Sequence, residues 1–142
     1  MDSLAFNLWD SICRRINYQS DDGEFWYFPA ETIAQHFGDC DDSTNLLTSL
    51  LRCAGFNAYT VVGTYRALGH AWTELDGEIL ESTYTSAHEV PDPQDYRPYV
   101  KFNDREVIEM WPGALGQLFA LGRRNERLKL NLMADALRQS GW

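Results

Sequence analysis

Residues 38–55 read GDCDDSTNLLTSLLRCAG, and this stretch predicts a helix that begins close to a cysteine and ends at a glycine. Its leucines recur at helical spacing, as in a helix with one buried face. Asp39 is placed to act as the N-cap, Asp42 to complete a capping box, and Gly55 to stop the helix. Cys40 therefore lies in the first turn, where the positive end of the helix dipole favours a thiolate over a thiol.

Three carboxylates surround this cysteine, at Asp39, Asp41 and Asp42, and they oppose the effect of the dipole. A base elsewhere in the chain is therefore needed to activate the thiol. The aspartates have a second interpretation, because clustered carboxylates bind Ca²⁺. Their spacing lacks the glycine and the distal glutamate of an EF-hand loop, which favours capping and solvation over a calcium site. We accordingly predict no cofactor, with Ca²⁺ at these aspartates as the alternative.

The chain has 142 residues, the size of one domain, and we predict a single domain over residues 1–142. Its net charge of -9 argues against binding to nucleic acid or to anionic membranes. Three cysteines without CxxC spacing indicate reduced thiols rather than a disulfide framework. We find no apolar run with the length of a signal-peptide core or a membrane span. These features predict a cytoplasmic protein and leave its oligomeric state open.

Helical and extended patterns follow one another along the chain in a way that predicts an α+β fold. Apart from the cysteine helix, helical spacing is found over residues 3–17, 30–34, 103–111 and 114–139. Extended patterns rich in Tyr, Val and Thr cover residues 56–65, 69–75, 78–84 and, as an edge strand, 99–102. We therefore predict an antiparallel sheet of about three to four strands, with the cysteine helix packed on it and with flanking N- and C-terminal helices.

The dipeptide Asp76-Gly77 lies between two extended segments and is a strong signal for a two-residue hairpin turn. In that register, residues whose numbers sum to 153 face each other. His70 then lies opposite Thr83 and Trp72 opposite Glu81, with all four side chains on one face of the sheet. His70 and Glu81 become diagonal neighbours about 7–8 Å apart at the backbone, within reach of each other's side chains.

Cys40, His70 and Glu81 are the parts of a set of nucleophile, base and orienting group. His70 would accept the thiol proton, and Glu81 would fix the tautomer of the imidazole ring. The backbone N–H of Cys40 is free in the first helical turn and is the natural donor to an oxyanion. Cys13 and Cys53 lie on apolar helices and are predicted to be buried hydrophobic residues.

Several motifs of the chain occur together, in this order: WYFPAETIAQHFGDC at residues 26–40, GDCDD at 38–42, GHAW at 69–72 and LESTY at 80–84. This set resembles the transglutaminase-like branch of the papain-type cysteine enzymes, and in particular its small prokaryotic and viral members. The resemblance implies a papain-like fold and acyl transfer through a thioester, with Cys40, His70 and Glu81 as the triad. Some related cysteine proteases also bind calcium near the triad.

Two positions depart from the family pattern. Glu81 stands where the family usually has an aspartate, and its longer arm still reaches a neighbouring strand. Asp39 stands beside the cysteine, where some relatives carry a glutamine that assists the oxyanion, and Gln35 is a possible substitute.

The resemblance implies a cysteine-dependent enzyme that acts on amide bonds of protein or peptide substrates. We predict a peptidase or isopeptidase, because water is always present as an acceptor and the sequence marks no dedicated amine site. Two alternatives stay open: a protein-glutamine transamidase that cross-links its substrates, and a catalytically silent transglutaminase-like module that binds a partner protein. Four further side chains are candidates for the site wall or the oxyanion site: Gln35, Trp26, Trp72 and Thr83.

Overall fold

The structure is a computed structural model that describes residues 1–18, 37–38 and 40–124. Within these residues the helices are α1 (Ser3–Arg15), α2 (Cys40–Cys53) and α3 (Ala114–Arg124). The strands are β1 (Asn17–Tyr18), β2 (Phe37–Gly38), β3 (Ala58–Tyr65), β4 (Leu68–Leu75), β5 (Glu78–Leu80), β6 (Tyr96–Phe102) and β7 (Val107–Glu109). The α+β class is confirmed. The helix predicted over residues 30–34 and the tail beyond residue 124 lie outside the described residues.

Five strands form an antiparallel sheet in the order β5-β4-β3-β6-β7, while β1 and β2 form a separate parallel pair. The prediction of three to four strands was therefore too low, and β6 lies inside the sheet rather than at its edge. The extra strand is β7, which replaces the helix predicted over residues 103–111. The Asn103 side chain accepts hydrogen bonds from the backbone N–H groups of Arg105 and Glu106, which closes a turn instead of starting a helix.

The β4–β5 hairpin confirms the register that its turn predicted. Asp76 and Gly77 both have positive φ, at 51° and 80°, as a tight two-residue turn requires. Leu75 pairs with Glu78, so opposite residues have the expected numbering. The two turn residues therefore set the register of β4 against β5.

The ladder between β4 and β5 ends at Leu80, earlier than the sequence predicted. The first helix explains this end, because the indole Nε1 of Trp9 and the Sγ of Cys13 both donate to the carbonyl oxygen of Glu81, at 3.0 and 3.5 Å. Bonded to α1, the backbone of Glu81 does not extend the sheet. The predicted strand pairs beyond this point are therefore wrong: His70 with Thr83, and Trp72 with Glu81.

A second tight turn joins β3 to β4 and consists of Arg66 and Ala67, with φ values of 50° and 67°. Neither residue is a glycine, so both are held in a region that L residues disfavour. The Arg66 guanidinium contacts Asp92 and Asp95 at 2.8 and 3.0 Å, and its backbone N–H donates to the Asp95 carbonyl. These contacts tie the turn to the 3-10 turn Pro93–Asp95 that leads into β6.

Helix α2 ends as the sequence predicted. Gly55 has a φ of 96°, and its N–H donates to the carbonyl of Arg52, while the N–H of Phe56 donates to the carbonyl of Leu51. These two bonds form a Schellman motif, which satisfies carbonyl groups at the end of the helix. The proposed N-cap, Asp39, lies outside the described residues.

The main core lies between α1, α2 and the adjacent face of the sheet. Its buried members include Ala5, Trp9, Ile12, Leu46, Leu47, Leu51, Leu75 and Leu80. Cys13 is buried there as predicted, but Cys53 is exposed, which corrects the prediction for that residue. The reason is its position two residues after Leu51, about 200° around the helix from the buried face. No helix of the described residues is long and apolar enough to cross a membrane.

A network of hydroxyl groups joins α2 to the sheet through the same interface. The Thr48 hydroxyl is 3.0 Å from that of Thr73 and accepts a hydrogen bond from Thr60 at 3.0 Å. Thr73 also donates to the carbonyl of Thr44 at 3.2 Å. Because these groups are buried, a shift of the helix along the sheet would leave them unsatisfied, so the network fixes the position of α2.

The opposite face of the sheet carries a second buried cluster, with Val61, Trp72 and Tyr96 at its centre. Alternate residues of a strand share a face, so His70 lies on the same face as Trp72. Gly63 is the partner of His70 across β3 and β4, and a Cβ atom built on it would lie 2.0 Å from the carbonyl oxygen of Arg97. Strands β3 and β6 therefore approach so closely beside His70 that only glycine fits.

Candidate active site

His70 and Glu81 form a direct hydrogen bond. The Nε2 atom of His70 lies 2.8 Å from Oε1 of Glu81, with side-chain exposures of 17% and 2%. The sequence predicted that these side chains would reach each other across the hairpin. Glu81 lies beyond the end of β5, but its side chain extends to β4 and contacts His70 there.

Both oxygens of the Glu81 carboxylate accept further hydrogen bonds. The Tyr96 hydroxyl donates to Oε1 at 2.6 Å, and the Thr83 hydroxyl donates to Oε2 at 2.9 Å. Burial alone would raise the pKa of this carboxyl group. The hydrogen bond and charge of His70, together with the bonds from Tyr96 and Thr83, outweigh burial and hold the pKa of Glu81 below its usual value.

Three aromatic rings surround the imidazole of His70. Trp72 is stacked against it with 6.0 Å between ring centres, and Tyr65 and Tyr96 lie at 5.9 and 6.1 Å. Trp72 thus lies beside His70, and its role in a site wall stays a prediction. Thr83, the other of the four candidates that the structure describes, donates a hydrogen bond to Glu81.

The start of α2 lies beside this pair. The hydroxyl groups of Ser43 and Ser82 are 2.8 Å apart, and the Thr44 hydroxyl donates to the carbonyl of Ala71 at 3.4 Å. Ser82 and Ala71 are the residues that follow Glu81 and His70 in the chain. Because Cys40 is the first residue of α2, its backbone belongs to the helical turn that these contacts hold next to the pair.

The structure describes the backbone of Cys40, and its side chain lies outside the described part. Gln35, Trp26 and Asp39 also lie outside it, so their predicted roles stay predictions. The Cys40–His70 pair is likewise a prediction of the sequence and not an observed contact.

The hydrogen bond to Glu81 decides which nitrogen of His70 can act as a base. An ionised carboxylate can only accept a hydrogen bond, so Nε2 is the donor and carries the proton of the neutral ring. Nδ1 is then the nitrogen with a lone pair. A thiol that gives its proton to His70 must therefore approach Nδ1.

The aspartates of the calcium alternative are described in part. Asp42 is 1% exposed within α2, whereas the side chains of Asp39 and Asp41 fall outside the description. Among the described residues, no group of three or more His, Cys, Asp or Glu side chains is placed to hold a metal ion. Capping and calcium binding therefore both remain predictions for this cluster.

Sequence reasoning missed Tyr96 and Tyr65. Both reach the site through the pairing of β3 with β6, in which Tyr65 is opposite Tyr96. Thirty residues of chain and a proline-rich segment separate these two positions, and the local pattern around Tyr96 gives no sign of its partner. Aromatic residues on adjacent strands tend to pair, but this preference predicts the contact only once the order of the strands is known.

A model of the transglutaminase-like superfamily matches residues 3–88 of the chain. The chain belongs to the transglutaminase-like superfamily. This confirms the family that the motifs between residues 26 and 84 indicated, and it extends the matched region through α1. The transglutaminase-like region contains Cys40, His70 and Glu81 but ends before Tyr96.

Solved structures of LapG from Legionella pneumophila share this transglutaminase-like fold. One of them is 20% identical to this chain with a TM-score of 0.63, and the match covers 85% of this chain and 77% of the LapG chain. An EGTA-treated form is 20% identical with a TM-score of 0.64, and the match covers 84% of this chain and 76% of the LapG chain. A calcium-bound form is 20% identical with a TM-score of 0.63, and the match covers 85% of this chain and 78% of the LapG chain. Comparison with curated proteins gave no match. The likeness to LapG confirms the fold of the superfamily beyond the matched region.

Proposed function

We propose that this protein is a cysteine peptidase or isopeptidase that cleaves amide bonds of protein substrates through a thioester. Cys40 is the nucleophile, His70 the acid and base, and Glu81 the orienting group. The observation that carries the proposal is the hydrogen bond between His70 and the buried carboxylate of Glu81, next to the start of α2. The family supports acyl transfer, and the likeness to LapG, a transglutaminase-like cysteine protease, favours a peptidase.

The proposed reaction has two steps, formation of a thioester on Cys40 and its hydrolysis, and His70 transfers protons in both. Nδ1 of His70 takes the Cys40 proton, and the thiolate attacks the carbonyl carbon of the substrate. The backbone N–H of Cys40 donates to the oxyanion that forms. The C–N bond then breaks as the imidazolium gives its proton to the leaving amine, which leaves a thioester. His70 next removes a proton from water, the resulting hydroxide attacks the thioester, and the thiol is regenerated with release of the acid.

Alkylation by iodoacetamide, followed residue by residue with mass spectrometry, tests this assignment. Cys53 is exposed and serves as the reference thiol within the same chain, whereas Cys13 is buried with its pKa raised to about 12 by burial. We expect Cys40 to react faster than Cys53 at about pH 6 and to lose this advantage in His70→Ala. If Cys40 reacts like Cys53 and His70→Ala changes nothing, the enzyme assignment fails and the silent binding module is the better explanation.

A second assay separates hydrolysis from transamidation. The protein is incubated with a glutamine-rich protein substrate and a fluorescent primary amine. We expect new N-termini that Cys40→Ala abolishes. Incorporation of the amine without new N-termini would instead assign the protein as a transamidase.

A further inference from the structure

Glu81 receives two hydrogen bonds on the same oxygen atom. Nε2 of His70 lies 2.8 Å and the Tyr96 hydroxyl 2.6 Å from Oε1. We propose that Tyr96 is a positioning residue of the active site, which holds the Glu81 carboxylate ionised and aimed at Nε2 so that Nδ1 of His70 faces the nucleophile. This inference rests on the proposed function, since it concerns the same triad.

An orienting carboxylate needs a restraint of its own. A group that fixes the tautomer of His70 must itself be held by something other than His70. The glutamate side chain has one more rotatable bond than the aspartate usual in the family, so it has more orientations to lose. Thr83 holds Oε2, but the oxygen that contacts His70 is held by Tyr96. Tyr96 therefore supplies the restraint that the longer side chain requires.

Tyr96 is itself held firmly. Its side chain is buried, with ring centres 4.6 Å from Tyr65 and 5.0 Å from Trp72. The Tyr65 hydroxyl donates to the carboxylate of Asp92, which also binds Arg66. Asp92 immediately precedes the 3-10 turn that leads into β6, so the turn between β3 and β4 fixes the point at which Tyr96 enters the sheet.

Tyr96 remains a donor throughout the working range of such an enzyme. Burial, and then the hydrogen bond to Glu81, raise the pKa of its hydroxyl far above the usual value. Cys13, Tyr65 and Tyr84 are ionisable groups beside this cluster on α1, β3 and the segment after β5, and the pKa of each is also raised. Behind Tyr65, the hydrogen bond from its hydroxyl lowers the pKa of Asp92, and the hydrogen bond to Asp95 raises the pKa of Arg66. None of these neighbouring groups therefore changes its charge near neutrality.

The chain offers a matched control. Tyr59 is 8% exposed, as Tyr96 is, and its hydroxyl also donates to a carboxylate at 2.6 Å. Its acceptor is Glu106, at the other end of β3 from the site. Tyr96→Phe and Tyr59→Phe thus each remove one tyrosine hydroxyl and its hydrogen bond to a carboxylate, and only the first removes a bond to Glu81.

The test measures alkylation of Cys40 against pH in the full chain, with Cys53 as the internal reference. Tyr96→Phe is expected to lower the Cys40 rate at about pH 6 by roughly 10- to 100-fold and to move the rise of the rate to higher pH. The reason is that a less firmly held carboxylate stabilises the imidazolium less, so the thiolate forms at higher pH. Tyr59→Phe is expected to follow the wild-type curve, while both variants lose a similar amount of thermal stability.

Two different results are distinguishable failures. If Tyr96→Phe follows the wild-type curve while His70→Ala abolishes the fast reaction, Tyr96 is a structural residue and the inference is wrong. If His70→Ala also leaves the rate unchanged, it is the proposed function that fails.

A measurement on the wild-type chain keeps the inference testable even where Tyr96→Phe does not fold. Nuclear magnetic resonance of ¹⁵N-labelled histidine is expected to show a proton on Nε2 of His70, with a nuclear Overhauser contact to the Tyr96 ring. A neutral His70 with its proton on Nδ1 would overturn the inference.

Discussion

Glu81 connects several parts of the candidate site. Its carboxylate binds His70, Tyr96 and Thr83, and its carbonyl binds Trp9 and Cys13. In the proposed triad, the longer side chain of a glutamate covers the distance that is left because β5 ends early. Substitutions that change either the charge or the length of the Glu81 side chain test its role.

Glu81→Gln keeps the length of the side chain and removes its charge. Without the charge, the imidazolium loses stabilisation and the amide no longer enforces the proton on Nε2. We expect hydrolysis to fall by up to about 10⁴-fold, with little change in substrate binding. Glu81→Asp keeps the charge but shortens the arm by one carbon, and we expect an intermediate loss. Single-turnover cleavage of a protein substrate measures both, and equal rates for wild type and Glu81→Gln would contradict the triad.

The same carboxyl group makes stability depend on acid. Because the pKa of Glu81 is lowered in the folded protein, its ionised form contributes stability that is present above its ordinary pKa of 4.5 and is lost as the pH falls through the lower folded value. We expect the unfolding free energy of wild type to fall more steeply than that of Glu81→Gln between roughly pH 5 and pH 3. Urea titrations measure this. Glu78→Gln, at an exposed residue of β5, is the control and is expected to parallel wild type.

At the scale of elements, the close contact of β3 with β6 determines the wall behind His70. A Cβ atom on Gly63 would lie 2.0 Å from the Arg97 carbonyl oxygen, and this obstacle is backbone that cannot rotate away. We expect Gly63→Ala to destabilise the protein by about 1–3 kcal/mol or more and to reduce activity. Gly116→Ala is the matched control, because nothing lies within 4 Å of its Cβ position in α3. It is expected to stabilise by about 0.5–1 kcal/mol, and two changes of the same sign would contradict this account.

The turn between β3 and β4 carries strain that a single substitution relieves. Ala67 has a φ of 67°, which glycine adopts without the steric cost of a Cβ atom. We expect Ala67→Gly to raise the unfolding free energy by about 0.5–1 kcal/mol in urea titrations. Ala87→Gly, at a position without positive φ, is expected to give no such gain. A loss of stability in Ala67→Gly would show that the turn is not strained.

These elements also show how far sequence reasoning reaches. Asp76-Gly77 predicted its hairpin because both residue types favour positive φ, and α2 was predicted because its cysteine start, leucine spacing and glycine stop agree. Arg66-Ala67 gave no turn signal, since contacts with Asp92 and Asp95 impose the conformation from far along the chain. The helix predicted over residues 103–111 was wrong for a similar reason, because pairing with β6 outweighs local preference.

The candidate site divides in the same way. His70 and Glu81 were predicted because one short hairpin separates them, so local rules bring them together. Tyr96 was missed because it requires the order of strands across the sheet. The residues proposed to do the chemistry could thus be predicted from motifs, whereas the residue proposed to position them depends on long-range strand pairing.

At the scale of the whole molecule, the net charge of -9 affects every experiment with calcium. Any cation screens the repulsion within an acidic chain and raises its stability. We therefore expect CaCl₂ and MgCl₂ at equal concentration to give the same small rise in melting temperature, and EGTA to leave hydrolysis unchanged, if the aspartates near Cys40 act as caps. An extra rise with Ca²⁺ that Asp41→Asn removes would instead assign these aspartates to a calcium site.

The contacts of Glu81 have a consequence for how the protein is made. They join positions 9, 13, 70, 81 and 96, and the two residues of a single hydrogen bond are as much as 72 positions apart in the sequence. A chain emerging from the ribosome has its cysteine available long before the strand that bears Tyr96 has been synthesised. The proposed triad together with Tyr96 is therefore complete only after β6 has been synthesised, and we expect a nascent chain that ends before β6 to lack a fast-reacting Cys40.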